Sequence, residues 1–298
     1  MISFRDISSD AAQSASSSRS VRTASVIVIV SEAAQLSSAD GAPFDSLGLD
    51  LPEVRPFLIE ALSRAAPSKD AYGSFECLVP AEGGTLRRLV VAILPTACSR
   101  NNSPAMPHAV AGIVRAHKGK GPLAIVLLSG PAHALPQALA VSRCFPTYSS
   151  TSGARKAARE GLLADPVDVF LHMAPAALGV SAPVLDSLAS DIRLAQHLVD
   201  MPPADMNCSY YVETCYATAA ELEGLGVSIK VIRGEALRDM GCGGIWNVGM
   251  ASEHPPALVV LSHTPKDAAA QAAKSVCLVG KGIVYDTGGL SIKVLRAL

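Results

Sequence analysis

Short apolar runs alternate along the chain with stretches in which apolar residues recur every three or four positions. The β-branched run Val26–Val30 and the apolar run Leu123–Leu128 predict buried strands, because neither run carries a polar face. Phe75–Val79 and Leu86–Leu94 flank the pair Gly83-Gly84, and this pattern predicts a β-hairpin. The first part of the chain therefore contains several candidate strands of one sheet.

Stretches with helical periodicity lie between these strands. Three helices are predicted on this basis, at Pro56–Ala65, Val110–His117 and Ala132–Phe145. One more strand is predicted at Val167–Met173. Because strands alternate with helices, we predict an α/β fold class. We expect a flexible N-terminus at residues 1–24, followed by a small N-terminal α/β domain at residues 25–165.

The remainder of the chain, residues 166–298, repeats this alternation and is predicted to be a second domain. A helix is predicted at roughly 184–200 from the spacing of its apolar residues. Ser209 is the predicted N-cap of the next helix, because a serine hydroxyl can accept a hydrogen bond from a free N–H of the first turn. Val227–Ile232 and Ala257–Ser262 predict strands.

Composition excludes several classes of protein. Hydrophobic residues make up 49% of the 298-residue chain, and the net charge of −1 argues against nucleic-acid binding. The seven cysteines are scattered without a Cys-x-x-Cys pair, which favours free thiols in a reducing cytoplasm over a disulfide or zinc scaffold. No apolar run approaches 18 residues, so we expect no membrane span.

The richest candidate chemistry lies near residue 280. The apolar run Val276–Val279 predicts a buried strand, and it is followed by a glycine-rich loop that contains Lys281, Asp286 and Lys293. A structural turn is one interpretation of this loop, because glycine permits unusual backbone angles. A phosphate-binding loop is less favoured, because Gly282 follows Lys281 where the Walker motif requires Ser or Thr.

The whole string from Val279 to Lys293, Val-Gly-Lys-Gly-Ile-Val-Tyr-Asp-Thr-Gly-Gly-Leu-Ser-Ile-Lys, narrows these alternatives. It resembles the signature of the leucine aminopeptidase (cytosol aminopeptidase) family at every position. The segment Cys144-Phe145-Pro146 resembles the probable aminopeptidase-like branch of that family. The resemblance implies an α/β catalytic domain with a mixed sheet, a peptide substrate, a homo-oligomer (a hexamer in the family) and a cytoplasmic location.

The resemblance also implies roles for three residues. Lys281 would ligate one metal of a two-metal site, and the carboxylate of Asp286 would bridge both metals. Lys293 would stay protonated and polarise the scissile carbonyl. The implied cofactors are two divalent ions, Zn or Mn. These roles are chemically reasonable, because a nearby dication can displace the proton of a lysine whose free pKa is about 10.4.

The sequence departs from the family after this string. The family has a further aspartate ligand and an Asn-Thr-Asp-Ala-Glu-Gly-Arg motif beyond the position of Lys293, and neither occurs in these 298 residues. We therefore expect an incomplete, truncated catalytic domain. The predicted function is metal-dependent removal of N-terminal amino acids from peptides, with this chain inactive by itself. The alternative is a non-catalytic fragment or assembly partner that lacks a competent metal site.

Overall fold

The computed structural model describes residues 2–6, 25–30, 55–81, 84–119, 121–148, 167–171, 182–266 and 274–284. The chain forms two compact units, of which the first extends to His197 and the second begins at Leu198. The domain boundary that we predicted after residue 165 stays a prediction. No helix in the described ranges is long and apolar enough to cross a membrane.

The first unit is built on a six-stranded mixed sheet. Its strands are β1 Ile2–Asp6, β2 Ser25–Val30, β3 Gly73–Pro80, β4 Leu86–Ile93, β5 Leu123–Leu128 and β6 Val167–Leu171. The strand order is β1-β6-β5-β2-β4-β3, and every neighbouring pair is parallel except β3 with β4. The α/β fold class is thereby confirmed.

Helices cover both faces of this sheet. The helices described in the first unit are α1 Arg55–Arg64, α2 Pro107–His117 and α3 Pro131–Ser142. The helix α4 Ala182–Asp200 begins in the first unit and ends in the second. Residues of α1 pack with one set of buried strand residues, and residues of α2, α3 and α4 pack with the other set. All six residues of β5 are buried as a result, which is the environment that an uninterrupted apolar strand requires.

Two predictions for this unit can be checked directly. The hairpin is confirmed, since β3 and β4 pair antiparallel with Phe75 opposite Val91. The prediction of a flexible N-terminus is wrong for residues 2–6, which form β1 and pair in parallel with β6 from Ile2 opposite Val167 onward. Alternating Ile, Phe and polar residues are compatible with an edge strand, and the pairing supplies the backbone partners. The rest of the predicted flexible segment lies outside the described residues.

The second unit is smaller. It contains α5 Cys208–Leu222, a 3₁₀ turn at Glu223–Leu225, β7 Val227–Arg233, α6 Glu235–Asp239, α7 Gly243–Gly249 and β8 Ala257–His263. β7 and β8 pair antiparallel, with Ile229 opposite Leu261. The predicted strands at Val227–Ile232 and Ala257–Ser262 are confirmed, each with one added residue at its C-terminal end.

The predicted cap of α5 is wrong. Asn207, not Ser209, is the N-cap: its backbone is extended (φ −109°, ψ 175°) and its side chain accepts a hydrogen bond from the backbone N–H of Tyr210. Asn and Ser are both favoured at this position, so the spacing of the flanking residues did not distinguish them. Ser209 lies inside the first turn and uses its hydroxyl differently.

The predicted buried strand at Val276–Val279 is also wrong in this structure. Residues 274–284 have no regular secondary structure, and the exposed fractions of Val276 and Val279 are 83% and 94%. A strand that is apolar on both sides needs strands or helices on each face. The described part of the second unit provides a sheet of two strands, which do not enclose this segment.

Candidate metal centre

Lys281 is the one predicted site residue that falls within the described ranges. It follows the exposed run Val276–Val279 and is itself exposed. A Cβ placed on either neighbouring glycine, Gly280 or Gly282, would meet no atom within 4 Å, so this part of the loop is open. Asp286 and Lys293 lie outside the described residues, and their assignment stays a prediction.

The described residues do not assemble a metal-binding donor set. Among them, no group of three or more His, Cys, Asp and Glu side chains is placed to hold a metal ion. A lysine amine must lose its proton to become a ligand, and that requires a dication held nearby by other donors. In the described part of the chain no such donors lie beside Lys281, so these residues alone do not fit a metal and no catalytic step is derived from them.

A polar cluster that the sequence did not predict ties the second unit together. Arg233, the last residue of β7, donates from Nη2 to Ser209 Oγ. The same hydroxyl oxygen lies 3.0 Å from Nδ1 of His254, which belongs to the loop before β8. These contacts join the start of α5 to one end of the two-stranded sheet, where β7 ends and the loop before β8 enters it. The contacts give His254 a structural role, and no spacing rule in the sequence points to this partnership.

The first unit carries a comparable tie at the edge of its sheet. Arg88 on β4 donates to both carboxylate oxygens of Glu76 on β3, at 2.5 and 2.6 Å, and also to the backbone oxygen of His117 at the end of α2. The hydrogen bond from Arg88 lowers the pKa of the Glu76 carboxyl, against the opposing effect of burial. The same hydrogen bond with Glu76 raises the pKa of the Arg88 guanidinium. The cluster fastens the hairpin to α2 and contains no nucleophile.

The cysteines show no sign of catalytic or disulfide chemistry. All seven are described and all seven are free thiols. Burial raises the pKa of Cys144 to about 11, so its reactive thiolate form is disfavoured. Its Sγ lies 3.6 Å from the backbone oxygen of Ala111 and 3.5 Å from that of Ala140, between α2 and α3. Cys144 is therefore a packing residue of the first unit.

Two family profiles match this chain, each over a separate range. The profile of the catalytic domain of the cytosol aminopeptidase family matches residues 193–298. The profile of M17 aminopeptidase N-terminal domain 2 matches residues 50–154. The chain belongs to the cytosol aminopeptidase (M17) family, which confirms the resemblance that the fifteen-residue string indicated.

Individual relatives agree with this assignment. The probable aminopeptidase NPEPL1 of Mus musculus is 38% identical over 205 residues, which cover 68% of this chain and 38% of that protein. The solved leucyl aminopeptidase of Trypanosoma brucei in complex with bestatin is 32% identical, with a TM-score of 0.76 over 98% of this chain and 53% of its own. The apo enzyme of Trypanosoma cruzi is 31% identical, with a TM-score of 0.77 over 98% of this chain and 54% of its own. The chain thus spans about 38% of the mouse relative's length and 53–54% of these two solved chains.

Proposed function

We propose that this chain belongs to a metal-dependent aminopeptidase that releases N-terminal amino acids from peptides in the cytoplasm. The observation that carries the proposal is the family match over residues 193–298, which includes the complete fifteen-residue signature at Val279–Lys293. The names of the relatives, which are aminopeptidases and leucyl aminopeptidases, support the same reaction class. We further propose that the protein works as a homo-oligomer, as the family resemblance implies.

The proposed roles of the site residues follow the same resemblance. Lys281 and Asp286 would hold two divalent ions, Zn or Mn, together with the remaining donors. The bound ions would supply Lewis-acid activation of a water molecule. The proposed role of the Lys293 ammonium group is to stabilise the negative charge that develops on the scissile carbonyl oxygen in the transition state.

Lys281 and Asp286 are two of the five ligand residues that the family resemblance implies. We therefore propose that these 298 residues have no aminopeptidase activity by themselves. Addition of a family-like continuation after Lys293 would supply the other acidic ligands and the arginine.

The test compares two proteins on a leucyl chromogenic substrate with Mn²⁺ or Zn²⁺ added. One protein is the 298-residue chain, and the other is the same chain continued after Lys293 with the remainder of the mouse relative. We expect hydrolysis from the continued protein alone, and we expect its loss in Asp286→Asn. The continued Lys293→Ala variant should show a larger fall in kcat than change in KM, because Lys293 acts on transition-state charge.

A folded continued protein that binds metal and does not release leucine would contradict the proposal. Hydrolysis by the 298-residue chain that disappears in Asp286→Asn would contradict its inactivity alone. The alternative function is that of a non-catalytic assembly partner. Metal analysis separates the two, because a competent site holds two metals per chain whereas an assembly partner holds none at Lys281 and Asp286.

A further inference from the structure

The polar cluster of Ser209, Arg233 and His254 has the geometry of a nucleophile held beside a base. All three residues belong to the second unit and come from separate elements. A serine hydroxyl is a weak nucleophile unless a base takes its proton during the attack. Such a base must lie within about 2.6–3.2 Å of the hydroxyl. His254 Nδ1 is 3.0 Å from Ser209 Oγ, so the pair meets this first requirement.

The hydrogen-bond directions in the cluster favour transfer of the hydroxyl proton to the histidine. A guanidinium carries donors and no acceptor, so Arg233 Nη2 donates to Ser209 Oγ. The hydroxyl proton is then available to His254, whose Nδ1 accepts it when the ring proton is on Nε2. The donors thus run in one order, from the arginine through the serine to the imidazole, and the base lies where the hydroxyl proton leaves.

The loop before β8 fixes the position of the imidazole. Ser252 Oγ accepts a hydrogen bond from the backbone N–H of His254 at 3.1 Å. Two prolines follow, and the backbone oxygen of Pro256 accepts a hydrogen bond from the N–H of Gly234 at 2.9 Å, just after the end of β7. Because proline restricts φ, this loop has few alternative conformations. The loop therefore orients the base, which is the task of the third side chain in a catalytic triad.

The exposure and the charge of the cluster suit attack on an ester. Ser209 and His254 are half-buried and Arg233 is exposed, so the cluster is partly open to solvent. Attack by a hydroxyl places negative charge on the oxygen of the reacting carbonyl group, and fixed donors or cations beside that oxygen stabilise the transition state. The Arg233 guanidinium is always charged and is bonded to the attacking oxygen, so it lies next to this developing charge.

We propose that Ser209 is a nucleophile toward small activated carboxylic esters, with His254 as its general base. Ser209 Oγ forms a bond to the carbonyl carbon, and the bond from that carbon to the leaving oxygen breaks. The hydroxyl proton passes to His254 Nδ1 and then to the leaving oxygen. Water next attacks the acyl carbon and gives a proton to His254, which returns it to Ser209 Oγ. The sum is ester hydrolysis, and it does not depend on the proposed metal-dependent function.

Covalent labelling of the 298-residue chain tests this proposal, with a metal chelator present to exclude metal-dependent hydrolysis. The probe is diisopropyl fluorophosphate, from which Ser209 Oγ displaces fluoride while His254 takes up the proton. Tandem mass spectrometry locates the label. We expect Ser209 to react at least about tenfold faster than Ser228. Ser228 is the matched control, because it is exposed on β7 and its hydroxyl donates to the backbone oxygen of Ser262, which is not a base.

Two histidine variants separate a base from a structural tie. His254→Asn keeps a hydrogen-bond acceptor near the position of Nδ1 and removes the base, so labelling of Ser209 should fall at least about tenfold. His263→Asn makes the same change at an exposed histidine of the same unit and should leave labelling unchanged. Equal labelling of Ser209 and Ser228 in the unaltered folded chain would overturn the proposal. Labelling of Ser209 that His254→Asn leaves unchanged would also overturn it.

Discussion

The first and second units of this chain contain similar apolar segments in different surroundings. Ile125 on β5 has an exposed fraction of 0%, whereas Leu278, in an equally apolar run, has 92%. The difference comes from the neighbours, since β5 is flanked by β2 and β6 and covered by helices, while residues 276–279 have no such cover in the described structure. Apolar composition alone therefore does not determine whether a segment is a strand.

The comparison also bears on where the chemistry lies. The family's signature residues occur in the second unit, where the sheet has two strands and apolar side chains such as Val260 are partly exposed. The first unit has the larger continuous core and contains none of the predicted ligands. Stability and proposed function are thus assigned to different parts of the chain, and substitutions should separate them.

The largest expected effect comes from truncating a core residue of the first unit. Ile125→Ala removes a fully buried side chain and should lower the free energy of unfolding by about 2–5 kcal/mol. Leu225→Ala, at a 65% exposed position in the second unit, should change it by less than about 0.5 kcal/mol. Urea denaturation measures both. Equal costs would mean that the second unit is packed as tightly as the first.

A smaller effect is expected from the cap of α5. Asn207→Ala removes the side-chain acceptor for the Tyr210 N–H and should destabilise the helix by about 1 kcal/mol. Asn207→Asp keeps an acceptor at the same position and should retain most of that stability. Faster hydrogen exchange of the Tyr210 amide in the alanine variant alone is the expected result. An unchanged rate would show that the cap contributes nothing to the second unit.

The smallest expected effect on stability comes from the Glu76–Arg88 ion pair, whose arginine also bonds the end of α2. Because the folded-state pKa of Glu76 lies below the reference value of 4.5, the ionised carboxylate stabilises the first unit above that pH. This contribution is lost as the pH falls through the lowered pKa. Glu76→Gln should therefore cost less than about 1 kcal/mol at pH 7, since the pair is partly exposed, and nothing at pH values below the lowered pKa. A cost that does not change with pH would exclude the carboxylate as its source.

Much of the fold was predictable because local pattern and tertiary environment agree in the first unit. Leu123–Leu128 was predicted as a strand with the bounds that β5 has, and the two strands predicted to form a hairpin pair antiparallel as β3 and β4. The pattern failed for residues 2–6, whose strand depends on pairing with β6, about 160 residues away in sequence. It also failed for Val276–Val279, where the apolar run gave no information on which neighbours would be present.

The candidate site was predictable to a different extent. The resemblance of the whole string Val279–Lys293 to the family signature indicated the family, which the comparisons confirm, while the roles of Lys281, Asp286 and Lys293 stay predictions. The Ser209, Arg233 and His254 cluster was not predictable, because its members come from three elements and match no short motif. Sequence spacing detects sites built from one loop, whereas sites assembled from distant elements require the fold.

Limited trypsin digestion of the 298-residue chain tests the contrast between the units most directly. The comparison uses tryptic sites in strands of each unit: Arg87 and Arg88 in β4 of the first, and Lys230 and Arg233 in β7 of the second. We expect cleavage after Lys230 and Arg233 to be at least about tenfold faster than after Arg87 and Arg88, because local opening is easier where fewer apolar groups are buried. Equal rates, or slower cleavage in β7, would contradict the conclusion that the stable core lies in the first unit.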